Sequence, residues 1–243
     1  MSTKWVIGDL HGGLKGLVQL LERAPVASDD QLIFLGDYVD GWSESAQLID
    51  FLIQLQQQFN CIFIRGNHDV YCHNWLYKDE LDSTWINHGG VATMKSYSNY
   101  TREQRLKHID FYEQLHNFHI DEENRLFIHA GYTSMHGPEK ETHESMLYWD
   151  RTLWEMALTM DQRIQKDSKL YPKRLLLFNE IYIGHTPTLQ YDSSTPMQAC
   201  NVWNIDTGAG FKGAATILNV TDKTCYQSDP LPELYPTEKG RNN

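Results

Sequence analysis

The sequence has few cysteines and no long hydrophobic run. Its four cysteines form no CxxC pair and no zinc-finger spacing, so we expect free thiols rather than disulfides or a structural zinc site. No stretch approaches the roughly 20 apolar residues that span a bilayer. The only early apolar run is interrupted by Gly8, Asp9 and His11, which argues against a signal peptide core. These absences predict a cytoplasmic protein that has no membrane partner.

Basic side chains are outnumbered by acidic ones. The 243 residues include 21 Lys and Arg against 32 Asp and Glu, which gives a net charge of −11. A protein that binds nucleic acid through the phosphate backbone needs a basic surface, so this balance predicts no nucleic-acid partner. The hydrophobic fraction of 41% is that of an ordinary folded chain. The sequence contains no pattern that sets an oligomeric state.

Short apolar runs that end near a glycine alternate with segments of helical periodicity. Strands are predicted at residues 4–8, 31–35 and 61–64, and helices at residues 14–24 and 43–59. This order of strand, turn and helix predicts an α/β fold. Further strands are predicted at residues 125–129, 181–184, 202–206, 216–220 and 224–227.

The rest of the chain differs in character from these strands. Residues 70–123 and 139–170 are mostly helical in pattern, and we predict them as helical insertions near the active site. Residues 229–243 are rich in proline and polar residues, which predicts a C-terminal tail that is laid on the surface or frayed. We therefore expect a single domain over residues 1–228.

Five predicted strands end in a glycine-containing motif with Asp, Asn or His. Because the carboxyl ends of strands in an α/β sheet line one crevice, these side chains are expected to converge. Carboxylate, amide and imidazole donors together suit Mn²⁺, Fe or Zn²⁺ better than Ca²⁺ or Mg²⁺, and the set is too rich for one ion. The sequence therefore predicts two divalent metal ions, with Mn²⁺ preferred. The motifs are Gly8-Asp9-Leu10-His11-Gly12, Gly36-Asp37-Tyr38-Val39-Asp40, Gly66-Asn67-His68-Asp69, His129-Ala130-Gly131 and Gly184-His185-Thr186.

The order of these motifs resembles that of the calcineurin-like metallophosphoesterases. It is most similar to their phosphoprotein (serine/threonine) phosphatase branch, with its bacterial and phage members. The resemblance runs from Gly8 to Gly208, and segments 87–93 and 205–208 also look like parts of bacterial members. It implies an α/β fold with a central two-sheet β-sandwich flanked by helices, and two metals at the strand ends.

The resemblance also implies roles for individual side chains. Asp37 would bridge two cations that lie about 4 Å apart. The cations would polarise the phosphoryl group and activate a bridging water as hydroxide. His68 would protonate the leaving group and Asp40 would orient His68, which makes these two the predicted catalytic residues. The implied metal ligands are Asp9, His11, Asp37, Asn67, His129 and His185.

One position departs from the family pattern. The motif usually continues GDYVDRG, with an arginine that binds the substrate phosphate, but here Gly41 follows Asp40. A guanidinium offers phosphate a bidentate fork, so its absence should weaken substrate binding. Arg151 stands where relatives have a second phosphate-binding arginine, and the alternative for it is a solvated helix residue. Asn67 and Arg65 are further candidates, although Arg65 equally suits a structural ion pair at a strand end.

These assignments predict a metal-dependent phosphomonoesterase of the serine/threonine-phosphatase type, acting on a phosphoprotein, a small phosphoester or a nucleotide. A diadenosine polyphosphate hydrolase is the alternative, since that branch shares every metal motif. A non-catalytic metal-binding scaffold is the alternative from another class. The retention of His68 and Asp40 argues against a scaffold, whereas the missing arginine at position 41 argues mildly for one.

Overall fold

Two five-stranded β-sheets form the centre of the computed structural model, which describes residues 2–242. The strands are β1 (Lys4–Ile7), β2 (Gln31–Phe34), β3 (Asn60–Phe63), β4 (Phe118–Ile120), β5 (Arg125–Ile128), β6 (Glu180–Ile183), β7 (Met197–Ala199), β8 (Val202–Asn204), β9 (Thr216–Asn219) and β10 (Cys225–Gln227). The first sheet has the order β10-β9-β1-β2-β3 and the second β4-β5-β6-β8-β7. Strands β1 to β3 run parallel to one another, as do β5, β6 and β8.

Helices flank the two sheets. They are α1 (Leu14–Arg23), α2 (Ser45–Leu55), α3 (Asn67–Lys78), α4 (Ser83–Trp85), α5 (Val91–Ser96), α6 (Arg102–Glu113), α7 (Met146–Trp149), α8 (Thr152–Thr159) and α9 (Leu231–Leu234). None of the helices within residues 2–242 combines the length and apolarity that a membrane span requires.

The core is divided into three apolar layers because successive strand residues point to opposite faces of a sheet. Val6 packs in the layer between the sheets, whereas its neighbours Trp5 and Ile7 pack in the layer beneath α1 and α2. In the second sheet, Tyr182 packs in the central layer and Ile181 packs outward, in the layer that contains residues of α7 and α8. The predicted sandwich of two sheets flanked by helices is confirmed.

Some local predictions differ from the structure. The segment 70–123 contains α3 to α6 but also the edge strand β4, which pairs antiparallel with β5. In the segment 139–170 the helices α7 and α8 end by Thr159. The sequence pattern predicts neither β4 nor β7, which are three-residue strands at the two edges of the second sheet. The division into a domain and a tail stays a prediction, although α9 and the residues after it lie against the helical layer of the first sheet.

Candidate active site

The carboxyl ends of the parallel strands meet at one edge of the sandwich, and the polar motifs follow them. Asp9 follows β1, Asp37 follows β2 and Asn67 begins α3, the helix that follows β3. In the second sheet His129 follows β5 and His185 follows β6. The six side chains expected to bind metal lie together here, and none is more than 7% exposed: Asp9, His11, Asp37, Asn67, His129 and His185.

The first group of donor atoms comes from Asp9, His11 and Asp37. The Nε2 atom of His11 lies 3.8 Å from Oδ2 of Asp9 and 3.7 Å from Oδ2 of Asp37. Ligand atoms about 2.1 Å from one tetrahedral ion lie about 3.4 Å apart, so these distances suit a shared cation.

The second group of donor atoms uses the other oxygen of Asp37. Its Oδ1 lies 3.4 Å from Nε2 of His129. The Oδ1 atom of Asn67 lies 3.2 Å from that nitrogen and 3.0 Å from Nδ1 of His185. Because one oxygen of Asp37 faces each group, the geometry matches the bridging role that the sequence predicts.

Backbone carbonyls orient two of the imidazoles. The Nδ1 atom of His11 donates to the carbonyl of Val39 at 3.1 Å, and Nδ1 of His129 donates to that of Leu35 at 2.7 Å. A carbonyl only accepts, so the proton of each neutral ring is on Nδ1 and the Nε2 lone pair faces the carboxylates. This is the tautomer that a metal ligand needs.

The charge of the cluster also suits cations. No Lys or Arg side chain within residues 2–242 lies within hydrogen-bonding distance of the Asp9 or Asp37 carboxylates. Burial and the neighbouring Asp206 raise the pKa of Asp9 well above its usual value. Burial opposes charge on His129, yet the Asp37 carboxylate outweighs it and raises the pKa of His129 to about 10. The site therefore favours added positive charge, and these residues fit two cations.

Four of the site residues have backbone conformations that are rare for residues with a side chain. The φ angles of His11, Asp37, Asp40 and His185 are 49°, 54°, 75° and 67°. Such left-handed conformations cost free energy and cluster at functional sites, where the surrounding structure holds them in place.

Asp69 stabilises the turn at Asp37. Its carboxylate accepts hydrogen bonds from the backbone N–H groups of Asp37, Tyr38 and Gly66 at 2.8, 3.0 and 2.8 Å. These bonds join the loop after β2 to the start of α3 and fix the backbone of Asp37, which is predicted to bridge the cations. A Cβ atom on Gly184 would lie 2.1 Å from Oδ1 of Asp9, so only glycine fits at that position.

The predicted proton donor His68 is in contact with Asp40. Its Nδ1 atom lies 2.6 Å from Oδ2 of Asp40. That carboxylate also accepts from the Trp85 indole at 2.7 Å and from the Thr93 hydroxyl at 2.6 Å. Thr93 belongs to the segment that resembles bacterial relatives, whereas no pattern in the sequence indicated Trp85. A ring nitrogen of His68 lies within 4.8 Å of donor atoms of both His11 and Asp37.

Burial sets the proton affinity of this pair. It raises the pKa of Asp40 to about 8 and lowers the pKa of His68 to about 3. These opposite shifts favour the proton on Asp40, within hydrogen-bonding distance of Nδ1 of His68. A proton lost from the far side of the imidazole can be replaced from Asp40.

A cavity of about 140 Å³ opens beside the predicted metal ligands. Arg151 lies in its wall, where Nη1 is 3.4 Å from Oγ1 of Thr186. Within residues 2–242, no carboxylate lies within 4 Å of the Arg151 guanidinium. The other side chains that line the cavity are Asp37, Asn67, His68, Tyr71, Thr84, His88, Trp149, His185 and Arg241.

The structure does not bring Arg65 to this cavity. Its guanidinium donates to Asn117 and to the carbonyl of Leu115, and it lies 3.4 Å from a carboxylate oxygen of Glu144. Arg65, Leu115 and Glu144 line a separate cavity. Arg65 lies after the end of β3, and its side chain faces residues 115–117, which precede β4. These contacts favour the structural role for Arg65.

Comparisons with known proteins agree with this geometry. Residues 3–206 match the family described as calcineurin-like phosphoesterase. The bis(5'-nucleosyl)-tetraphosphatase PrpE [asymmetrical] of Oceanobacillus iheyensis is 27% identical over 90% of this chain and 88% of its own length. The protein of the same name from Bacillus anthracis is 30% identical over 88% of each.

Solved structures share the fold. A cold-active protein-tyrosine phosphatase of a psychrophilic Shewanella species superposes with a TM-score of 0.60 over 94% of this chain and 81% of that one, at 15% identity. A protein serine/threonine phosphatase of Saccharomyces cerevisiae gives a TM-score of 0.57 over 94% and 80%, also at 15% identity. With the match over residues 3–206, these findings show that the chain belongs to the calcineurin-like phosphoesterases, a family of metal-dependent hydrolases.

Proposed function

We propose that this hydrolase cleaves the polyphosphate bridge of dinucleoside polyphosphates. The observation that carries the proposal is a pair of aromatic rings in the cavity wall, Tyr71 and Trp149, whose centroids are 6.0 Å apart. Trp149 is 39% exposed beside a buried metal ligand, so its ring is free to stack on a nucleobase. The relatives named bis(5'-nucleosyl)-tetraphosphatases, which match nearly the whole chain, support this substrate.

Different side chains have different roles in this proposed reaction. Two divalent cations would supply charge stabilisation and water activation when bound, and we propose Mn²⁺ because the donors are imidazole, carboxylate and amide groups. His68 donates a proton to the departing phosphate oxygen as the bond from phosphorus to that oxygen breaks, and Asp40 restores the proton. Arg151 binds a phosphate oxygen of the substrate. The proposed metal ligands are Asp9, His11, Asp37, Asn67, His129 and His185.

A phosphomonoesterase of the serine/threonine-phosphatase type is the second candidate. The contact between His68 and Asp40 favours it, because an alkoxide leaving group is more basic than a phosphate and needs a proton donor more. A non-catalytic scaffold would gain nothing from this pair, so we set that alternative aside.

Turnover of three substrates with added Mn²⁺ tests the proposal. Diadenosine tetraphosphate, a phosphoserine peptide and p-nitrophenyl phosphate are incubated with the protein, and the products are separated by ion-exchange chromatography. We expect the highest kcat/KM for the dinucleotide, with one monophosphate and one triphosphate released per asymmetrical cleavage. Higher kcat/KM for the phosphopeptide would reject the dinucleotide and support the second candidate.

Base stacking on Trp149 is tested separately. Trp149→Ala should raise KM for the dinucleotide about 5- to 150-fold, since stacking of a base is worth about 1–3 kcal/mol. The KM for p-nitrophenyl phosphate, which lacks a base, should change much less. Tyr77→Ala is the matched control, because Tyr77 is 61% exposed and does not line the cavity. Equal effects of the two substitutions would contradict a base-stacking role.

We also propose that the protein works in the cytoplasm. All four cysteines are free, and Cys225 is exposed. Exposed thiols stay unpaired in a reducing compartment, whereas oxidising compartments favour disulfides. Detection of the protein in cell fractions with an antibody would test the location.

A further inference from the structure

The backbone at position 41 disfavours any residue with a side chain. Gly41 has φ +128°, a conformation that residues with a side chain rarely adopt. A Cβ atom at this position would lie 3.1 Å from Cγ of Arg241 and 3.3 Å from the carbonyl oxygen of His11. The space beside Gly41 is therefore filled by a side chain from a distant part of the sequence.

Specific contacts hold the segment that carries Arg241 against the loop after β2. The carboxylate of Glu238 accepts hydrogen bonds from the N–H and hydroxyl groups of Ser43 at 2.9 and 2.7 Å. The rings of Trp42 and Tyr235 stack with centroids 5.2 Å apart. The segment is thus tied to the residues that follow Gly41 in sequence.

The backbone of Arg241 is fixed as well. Its N–H group donates to the carbonyl of Gly210 at 2.8 Å. Its guanidinium lies over the ring of Phe211, 4.9 Å from the centroid. A side chain held by its backbone and by an aromatic face loses little freedom when it binds a ligand.

The guanidinium of Arg241 enters the active-site cavity without a carboxylate partner. It lies in the cavity wall with Arg151, and its Nη1 atom is 3.1 Å from Nε2 of His11. Its Nε atom is buried and has no hydrogen-bond partner within residues 2–242. No carboxylate oxygen in the described part of the chain lies within 4 Å of its nitrogens. Two guanidinium groups without carboxylate partners in one small cavity can bind an oxyanion.

We propose that Arg241 is a substrate-binding residue that holds the reacting phosphate, in place of the arginine missing at position 41. A cation bound at Nε2 of His11 would displace Nη1 of Arg241 from that nitrogen, and a phosphate oxygen of the substrate would then become the acceptor of its hydrogen bond. Together with Arg151, it places positive charge on two sides of the phosphate. The inference rests on the proposed phosphoester hydrolysis at this site, but not on the dinucleotide as substrate.

Three variants test this role in the full-length chain. Arg241→Ala removes the guanidinium, and Arg241→Lys keeps the charge but loses the bidentate hydrogen-bonding geometry. Lys239→Ala is the matched control, because it removes a cation from the same segment that does not line the metal-ligand cavity. For each protein, calorimetry gives the Kd of inorganic phosphate in the presence of Mn²⁺ and the Kd of Mn²⁺ alone. Turnover of p-nitrophenyl phosphate gives kcat and KM, and thermal unfolding confirms that the variants fold.

Arg241→Ala should raise the phosphate Kd and the KM about 10- to 100-fold, as expected for a hydrogen bond to a charged group. Arg241→Lys should recover part of this loss, and Lys239→Ala should match the wild type. The Kd of Mn²⁺ should not increase.

An unchanged phosphate Kd in Arg241→Ala would overturn the proposal. So would tighter Mn²⁺ binding with unchanged phosphate affinity, because Arg241 would then compete with the metal at His11. A wild-type protein that binds no phosphate with Mn²⁺ present would also overturn it. Failure to cleave dinucleotides would reject the proposed function and leave the phosphate Kd values to decide the role of Arg241.

Discussion

Nδ1 of His68 lies 2.6 Å from Oδ2 of Asp40, and both side chains are at least 97% buried. The carboxylate is held in turn by Trp85 and Thr93, which come from the segment between α3 and α6. The imidazole is therefore fixed by a buried network rather than by solvent. A fixed ring beside the predicted metal ligands supports our proposal that His68 donates a proton to the leaving group.

Replacement of His68 should separate catalysis from metal binding. His68→Asn is expected to keep the metals and to lose about 10²- to 10⁴-fold in kcat. The loss should be smaller for p-nitrophenyl phosphate than for an alkyl phosphate, because nitrophenolate leaves without a proton. Metal content by elemental analysis and kcat for both substrates provide the measurement. An equal loss for both substrates would mean that His68 has another role.

Replacement of Asp37 should impair metal binding itself. Asp37 presents one oxygen to His11 and the other to His129, so both donor groups depend on it. We expect up to two metal ions per chain in the wild type, and fewer together with lost turnover in Asp37→Asn. Elemental analysis after dialysis measures the content. If the variant retained wild-type metal content and turnover, the bridging assignment would be wrong.

A side chain at position 41 should destabilise the protein. Gly41→Ala combines a left-handed φ with close contacts to Arg241 and His11, and should cost about 1–3 kcal/mol in the free energy of unfolding, measured with urea. Gly137→Ala is the control, because its φ is +93° but the nearest atom to a Cβ would be 3.7 Å away. Gly41→Arg should likewise lower turnover rather than restore it, since Arg241 fills that space. Greater stability loss in Gly137→Ala than in Gly41→Ala would contradict this account.

Acid should remove a contribution of Asp30 to stability. Burial alone would raise the pKa of Asp30, but hydrogen bonds from the Ala27 N–H, the Trp5 indole and the Thr3 N–H outweigh burial and lower the pKa below 3.8. The unfolded chain then binds the proton more readily than the folded chain. The contribution is therefore complete above the ordinary pKa and is lost as the pH falls through the lowered folded value.

Urea unfolding over a series of pH values measures this effect. Asp30→Asn should be less stable than the wild type near neutral pH, and the difference should shrink as the pH falls below about 4. Asp29→Asn, at an exposed neighbouring position, serves as the control. A constant difference between Asp30→Asn and the wild type across this range would argue against a charge-dependent role.

Much of the candidate site could be predicted because metal chemistry restricts residue types and because the candidate ligands follow strands. Apolar runs that end at Gly8, Gly36 and Gly66 mark the strand ends, and the polar residues after them are the ones that meet in the structure. The residues that position the site are harder to predict from the sequence. Trp85 belongs to a three-residue helix, and its hydrogen bond to Asp40 spans 45 positions in the sequence.

The sequence by itself determined the class of fold, the donor set and the absence of an arginine at position 41, since these follow from residue identity and from local periodicity. Only the tertiary structure decided which arginines reach the cavity. Arg65 is adjacent to a site motif but faces other partners, whereas Arg241 is 230 positions from His11 and lies 3.1 Å from it. Side-chain direction and long-range packing set these distances, and neither is encoded in the residues near an arginine.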